Sequence, residues 1–102
     1  MARRKTRFGD VLGPLAADPR LGPVHVCLYL AILQCREKRE VKGMFRIRKT
    51  EVMALAKIHG RTTYYRVLNE LRVWGYVQYE RSFSKKGESL VALPEAFEVE
   101  RR

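Results

Sequence analysis

The length, composition and charge of the chain exclude several classes of protein. With 102 residues, of which 46% are hydrophobic, it has room for one domain with one core and is too apolar to be wholly disordered. Its net charge of +10 favours a polyanionic partner, because Lys and Arg displace the counterions condensed on phosphate. No apolar run is long enough to cross a bilayer, and no signal-peptide pattern follows the basic start. We therefore predict a cytoplasmic protein without a membrane partner.

The N-terminal part of the chain is predicted to be a basic arm that leads into one long helix. Residues 1–10 are predicted to be flexible, and a short turn is expected around Leu15, before Pro19. Pro23 suits the first turn of a helix. Apolar residues then recur at helical spacing up to the charged run 36–40, which predicts a core-facing helix. These residues are Val24, Cys27, Leu28, Ala31, Ile32 and Cys35.

A short strand and a short helix are predicted next. Met44–Arg48 alternates apolar and basic residues, which predicts a strand with Phe45 and Ile47 on one face. Lys49–Ala56 is predicted to be a compact helix that ends before Gly60, where glycine permits a tight turn. The buried residues of this helix are expected to be Val52, Leu55 and Ala56.

A third helix, over residues 61–74, is predicted to be buried on one side and polar on the other. Gly75 is placed to end it in a left-handed conformation. The residues expected on the buried side are Tyr64, Val67, Leu68, Leu71 and Trp74. The residues expected on the opposite side are Thr62, Tyr65, Arg66, Asn69 and Arg72.

The C-terminal part is predicted to be a β-hairpin. Residues 76–81 alternate as a strand, 84–87 form a turn, and 90–93 form a second strand closed by Pro94. Two short helices joined by a Gly-containing turn are typical of the helix-turn-helix motif, and the strand and hairpin make it a winged version. The sequence therefore predicts an α+β, mainly α, winged helix-turn-helix fold with a three-helix core. The expected division is a flexible basic arm over 1–10, the winged helix-turn-helix domain over 11–94 and a charged tail over 95–102.

The third helix carries the residue types that direct readout of DNA requires. Between Lys42 and Lys86 the chain has eleven Lys and Arg against three Glu, so positive charge is concentrated around this helix. Arg donates two hydrogen bonds to guanine O6 and N7, and Asn pairs with N6 and N7 of adenine. Arg66 and Asn69 are therefore the best candidates for sequence readout. The predicted base-readout residues are Arg61, Thr62, Thr63, Tyr65, Arg66 and Asn69.

Other basic residues are predicted to hold the phosphate backbone, which fixes the register without reading sequence. These residues are Arg46, Arg48, Lys49, Lys57, Arg72, Arg81, Lys85 and Lys86. The wing tip, 84–87, can follow the backbone or enter the minor groove. The N-terminal arm is predicted to enter the minor groove through Arg3, Arg4, Lys5 and Arg7.

No pattern of catalytic or metal-binding residues is evident. His25 and His59 are isolated, whereas a metal site would need further ligands at suitable spacing. Cys27 and Cys35 are expected to be buried thiols, about two helical turns apart and too distant for a disulfide. No nucleophile set, phosphate-cradling glycine loop or carboxylate pair is present. The sequence predicts no enzyme activity, no cofactor and no metal.

Three runs of the chain, Ala17–His25, Lys57–Arg66 and Glu70–Tyr79, resemble a group of small winged-helix proteins from Bacteroidetes. The group often accompanies mobile genetic elements, and the resemblance covers residues 15–93. It implies a winged helix-turn-helix fold and DNA binding. The Leu71-x-x-Trp74-Gly75-Tyr76-Val77 ending resembles winged helices of MarR, GntR and replication-initiator type more widely. The basic arm and the lack of a long dimerisation helix depart from these patterns.

The leading interpretation is sequence-specific binding of double-stranded DNA by a transcriptional regulator or mobile-element accessory protein, associated with the nucleoid. One alternative is a basic protein associated with RNA or the ribosome, although exposed aromatic platforms for single-stranded RNA are scarce. Another is a winged-helix protein-interaction module in a replication or transfer complex. A homodimer is a further open alternative, since helix-turn-helix proteins commonly read paired half-sites.

Overall fold

The computed structural model describes residues 8–39, 43–81 and 88–93, and gives side chains for 13–37, 43–80 and 88–93. The chain folds into four helices and three strands, a mainly helical α+β arrangement, as the sequence predicts at this coarse level. The helices are α1 (Phe8–Ala17), α2 (Pro23–Arg39), α3 (Lys49–Ala56) and α4 (Arg61–Val73). The strands are β1 (Phe45–Arg48), β2 (Gln78–Arg81) and β3 (Glu88–Ala92).

The three strands form one antiparallel sheet in the order β1-β3-β2. Val91 of the central strand lies opposite Phe45 on one side and Tyr79 on the other, and Arg48 lies opposite Glu88. Side chains alternate across β1, so Phe45 and Ile47 are buried whereas the arginines between them are exposed. The sheet therefore closes one side of the core and presents cations on its other side.

The core lies between the sheet and the helices α2, α3 and α4. Most of its large side chains are fully buried, which is where most of the folding free energy of a small domain comes from. The α3 helix has the bounds that the sequence predicts, and the predicted burial of Tyr64, Val67, Leu68 and Leu71 is confirmed. Fully buried aliphatic residues include Leu28, Ile32, Val52, Val67, Leu68, Leu71 and Val91.

The segment before α2 differs from its prediction. A ten-residue helix, α1, replaces the expected short turn around Leu15, and it begins at Phe8, within the range 1–10 that was predicted as a flexible arm. Pro14 lies inside this helix, where it removes one backbone hydrogen bond. Leu15 is buried against the core, and this tertiary contact outweighs the local effect of the proline.

The prediction of buried side chains was wrong at three positions before α4. Cys27, Val24 and Leu55 are exposed, the last two to 38% and 47%. The buried face of α2 includes His25, Tyr29 and Arg36. A pattern of apolar residues alone does not assign this set to the core. In α3, which has only eight residues, Val52 and Ala56 define the buried side. Cys35 is buried, as predicted.

The turn between α3 and α4 also differs from its prediction. The left-handed residue is Lys57, with φ of 62°, whereas Gly60 is extended with φ of −106° and serves as the N-cap of α4. The Lys57 N–H donates to the carbonyl of Ala54, and the Ile58 N–H donates to Met53. The side chain of Ile58 is buried in the core, and its burial holds the chain in the turn although the left-handed position is not a glycine. Gly75, with φ of 88°, is left-handed as predicted.

Candidate nucleic-acid interface

The exposed side of α4 contains the predicted base-readout residues. Arg61, Thr62, Tyr65, Arg66 and Asn69 are exposed, and Thr63 is half-buried at the edge of this side. Thr62, Arg66 and Asn69 are spaced by four and three positions, so they follow one line along the helix. The predicted division of α4 into a buried and a polar side is confirmed. We call this exposed side the α4 face, and it also includes Arg72.

Two cations of the α4 face each have an acceptor on the same helix. Arg66 Nη1 donates to Glu70 Oε1 at 3.3 Å. Arg72 donates from Nε and Nη2 to Asn69 Oδ1, at 3.2 and 2.7 Å. All these pairs have the spacing at which side chains on neighbouring turns meet. Arg72, predicted as a backbone contact, is thus joined directly to Asn69, predicted as a base contact.

The Arg66–Glu70 pair is tied to α2 through a buried histidine. The backbone N–H of Gly22 donates to His25 Nδ1 at 3.0 Å, so this nitrogen is the acceptor and Nε2 bears the hydrogen. His25 Nε2 then lies 2.7 Å from Glu70 Oε1, to which it donates. One carboxylate oxygen therefore accepts from both His25 and Arg66. The position of Glu70, and with it Arg66, is fixed by the start of α2.

The end of α4 is held by a second cluster of side chains. Trp74, predicted as a core residue, is half-buried instead; its ring lies 5.3 Å from that of His25, and the Arg20 guanidinium lies 4.9 Å above it. Arg20 also donates to both carboxylate oxygens of Asp18, at 3.0 and 2.7 Å. The Tyr76 hydroxyl donates to Asp18 at 2.6 Å. The α1–α2 connection is thereby fastened to the chain that leaves α4.

The ionisation of this cluster follows from its hydrogen bonds. Hydrogen bonds from Arg20, and then from Tyr76, hold the pKa of the Asp18 carboxyl well below its usual value of 3.8. Burial, followed by the bond to Asp18, raises the pKa of Tyr76. In the core, burial raises the pKa of Tyr64 strongly. Asp18 is thus a carboxylate and both tyrosines are neutral at physiological pH.

A second group of cations lies on β1 and at the start of α3. The side chains of Arg46 and Arg48 are exposed by 69% and 58%, and their Nε atoms lie 3.7 and 4.0 Å from the carboxylate of Glu88. Lys49 connects this group to α4, because its Nζ lies 5.8 Å from the centre of the Tyr65 ring. The arginines border an open cleft of about 530 Å³. It is lined by Arg46, Ile47, Arg48, Thr50, Glu51 and Glu88.

Several predicted contact residues lie beyond the side chains that the structure describes. Arg81 is within β2, but its side chain is outside the described set. By contrast, the side chain of Lys57 is within the described set, and it is exposed in the turn between α3 and α4. The residues of the arm and wing tip, outside the described ranges, are Arg3, Arg4, Lys5, Arg7, Lys85 and Lys86.

The sequence reasoning missed the acceptors that hold these cations. The spacing of Arg66 and Glu70 is a local signal for an ion pair, and it could have been used. The bond between His25 and Glu70 spans 45 positions and has no local signal. Glu88 could be placed beside Arg48 only once the register of β1 and β3 was known.

The structure also bears on metals and membranes. Within residues 8–39, 43–81 and 88–93, no group of three or more His, Cys, Asp or Glu is placed to hold a metal ion. In the same ranges, no helix is long and apolar enough to span a bilayer.

Comparison with models of protein families, with curated proteins and with solved structures found no match. The resemblance to small winged-helix proteins of Bacteroidetes therefore stays a prediction.

Proposed function

We propose that the protein is a winged helix-turn-helix domain that binds double-stranded DNA sequence-specifically, with α4 in the major groove. The observation that carries the proposal is the α4 face. Its residues are polar or cationic apart from the aromatic Tyr65 and, at the C-terminal end, Val73, while Tyr64, Val67, Leu68 and Leu71 on the opposite side are buried. A helix that enters a groove about 12 Å wide needs this combination of a fixed inner side and a hydrogen-bonding outer side.

The arrangement of elements supports the fold assignment. Four residues, 57–60, separate α3 from α4, which is typical of the turn in helix-turn-helix motifs. The strands β2 and β3 follow α4 and pair with each other, and β1 completes the sheet beside them. This is the arrangement that a wing next to a recognition helix requires.

Electrostatics support a nucleic-acid partner. The net charge is +10, and exposed Arg46 and Arg48 lie on the strand that leads directly into α3. The Lys49–Tyr65 contact places the start of α3 beside the α4 face. Gly60, the N-cap of α4, has no side chain to cap the first backbone N–H groups, which can then donate to phosphate. We assign phosphate contacts to the β1–α3 corner and base contacts to the α4 face.

The biological role that fits is transcriptional regulation or an accessory function of a mobile element, exerted by occupancy of a DNA site. Such a protein would be found with the nucleoid. A homodimer on paired half-sites belongs to the same proposal, and the symmetry of the selected DNA site tests it.

The test is selection from a random pool of DNA duplexes at two salt concentrations, with sequencing of the retained fraction. We expect the wild-type protein to enrich a defined motif, and Arg66→Ala to lose preference at one position of it. Gln34→Ala, which shortens an exposed polar side chain on α2, is the matched control and should select the wild-type motif. Salt-sensitive retention without enrichment would overturn sequence-specific binding, and the absence of any retained duplex would overturn DNA binding.

A further inference from the structure

The Asn69–Arg72 pair has a hydrogen-bonding property that neither residue has alone. Arg72 directs both Nε and Nη2 to the single oxygen of the Asn69 amide. Both side chains are exposed on the α4 face. Among the described residues, none accepts a hydrogen bond from the Asn69 amide nitrogen. The acceptor of Asn69 is therefore occupied, while no described residue accepts a hydrogen bond from its NH₂ group or from the remaining N–H groups of Arg72.

The occupied oxygen changes the base that Asn69 can recognise. Adenine presents an acceptor, N7, beside a donor, the N6 amino group, so its readout requires both the oxygen and the nitrogen of the amide. Guanine presents two adjacent acceptors, N7 and O6. A pair that offers only donors matches guanine and leaves the adenine N6 amino group without an acceptor. The adenine contact expected for Asn69 from sequence is thus disfavoured.

We propose that Asn69 and Arg72 act as one recognition unit for guanine in the major groove, and that Arg72 determines this specificity by occupying the Asn69 oxygen. The inference rests on the proposed function, because it assigns one base class to the α4 face. Arg72, predicted as a phosphate contact, becomes a specificity-determining residue.

The test compares the motifs selected by the wild type, Arg72→Met, and the double variant Arg72→Met with Asn69→Ala. Methionine keeps an unbranched apolar stem and removes the guanidinium. We expect the wild type to select guanine at one position, and Arg72→Met to select adenine there, because the released oxygen restores the adenine-reading amide. The double variant should have no preference at that position. Discrimination between the two bases by each protein should be roughly tenfold or more, as for other bidentate contacts.

Arg46→Met provides the matched control, since it removes an exposed arginine from β1, outside the α4 face. It should weaken all duplexes alike and leave the motif unchanged. If Arg72→Met behaves in the same way as this control, Arg72 contacts phosphate and the guanine assignment is overturned, while sequence-specific binding stands. If the wild type enriches no motif, the proposed function fails and the guanine assignment fails with it. Thermal unfolding of each variant verifies that the fold is retained.

Discussion

The two cation–acceptor pairs of the α4 face differ in what holds them. Glu70, the acceptor of Arg66, is bonded to buried His25 and through it to the backbone of Gly22. Within the described part of the chain, the hydrogen-bond partners of Asn69, the acceptor of Arg72, lie on α4. We call these the anchored pair and the local pair. The anchored pair is pre-organised by the tertiary structure, whereas the local pair can rearrange at little cost to folding. Variants that remove the His25 anchor should therefore cost more stability than variants of the local pair.

The largest effect on stability is expected from the anchored pair. His25→Leu introduces an apolar side chain of similar size and removes the hydrogen-bond partner that His25 provides for the Gly22 N–H and for Glu70. An unsatisfied group near the core costs about 1–3 kcal/mol, so we expect a loss of about 2 kcal/mol in the free energy of unfolding, measured with urea. Asn69→Ala, the corresponding change in the local pair, should cost less than about 0.5 kcal/mol. Equal losses in the two variants would contradict the distinction between the pairs.

The turn before α4 should respond oppositely to two changes of the same residue. Lys57→Gly removes the strain of a left-handed non-glycine residue and should stabilise the protein by about 1 kcal/mol, measured by thermal unfolding. Lys57→Ala removes the charge and keeps the strain, so no such gain is expected. Both variants should lower duplex affinity to a similar extent if Lys57 contacts phosphate. A rise in melting temperature for both variants would argue against strain at this position.

The charge of Glu70 should affect selectivity more than stability. Glu70→Gln keeps an oxygen that accepts from His25 and removes the negative charge beside Arg66. We expect duplex affinity to rise about threefold at low salt, a change typical of one exposed charge, while the base preference at the Arg66 position declines. Fluorescence anisotropy on the selected duplex and a scrambled duplex separates the two quantities. An increase in both affinity and selectivity would show that Glu70 restrains Arg66 without orienting it.

The smallest effect is expected from the pH dependence of the cluster at the end of α4, because the Arg20 side chain is 51% exposed and solvent screens its attraction to Asp18. The pKa of Asp18 is depressed in the folded state, so its stabilising contribution is complete above the unfolded value of 3.8 and is lost as pH decreases towards the folded value. Urea denaturation between about pH 5 and pH 2 should therefore give a steeper loss of stability for the wild type than for Asp18→Asn. Parallel curves would contradict the role of Asp18 in fastening α4.

The sequence predicts the two sides of α4 well because one helix determines them. Helical spacing places Tyr64, Leu68 and Leu71 together on one side and Arg66 and Asn69 on the other, without reference to the rest of the fold. The bounds of α3 follow in the same way from a local pattern. The exposure of Leu55 could not be predicted, because it depends on which side of a short helix meets α2 and β1.

The hydrogen bonds on the α4 face could not be predicted from local sequence for a different reason. The sequence presents Asn69 as an amide with both a donor and an acceptor, and only the structure shows that Arg72 occupies the acceptor. The orientation of Arg66 depends on His25, which is distant along the chain and is brought near by the packing of α2 against α4. Residue identity predicted which residues lie on the α4 face, but long-range packing and side-chain pairing determine which hydrogen-bonding groups that face presents.

The most direct test of the central proposal is a titration of isotope-labelled protein with a DNA duplex, followed by amide chemical shifts. The proposal predicts that the largest changes occur at residues 61–66 and 69 of α4 and at β1, with little change around Gln34 on α2. Changes concentrated on α2, or an absence of saturable changes at α4, would contradict the assignment of α4 as the DNA-reading helix.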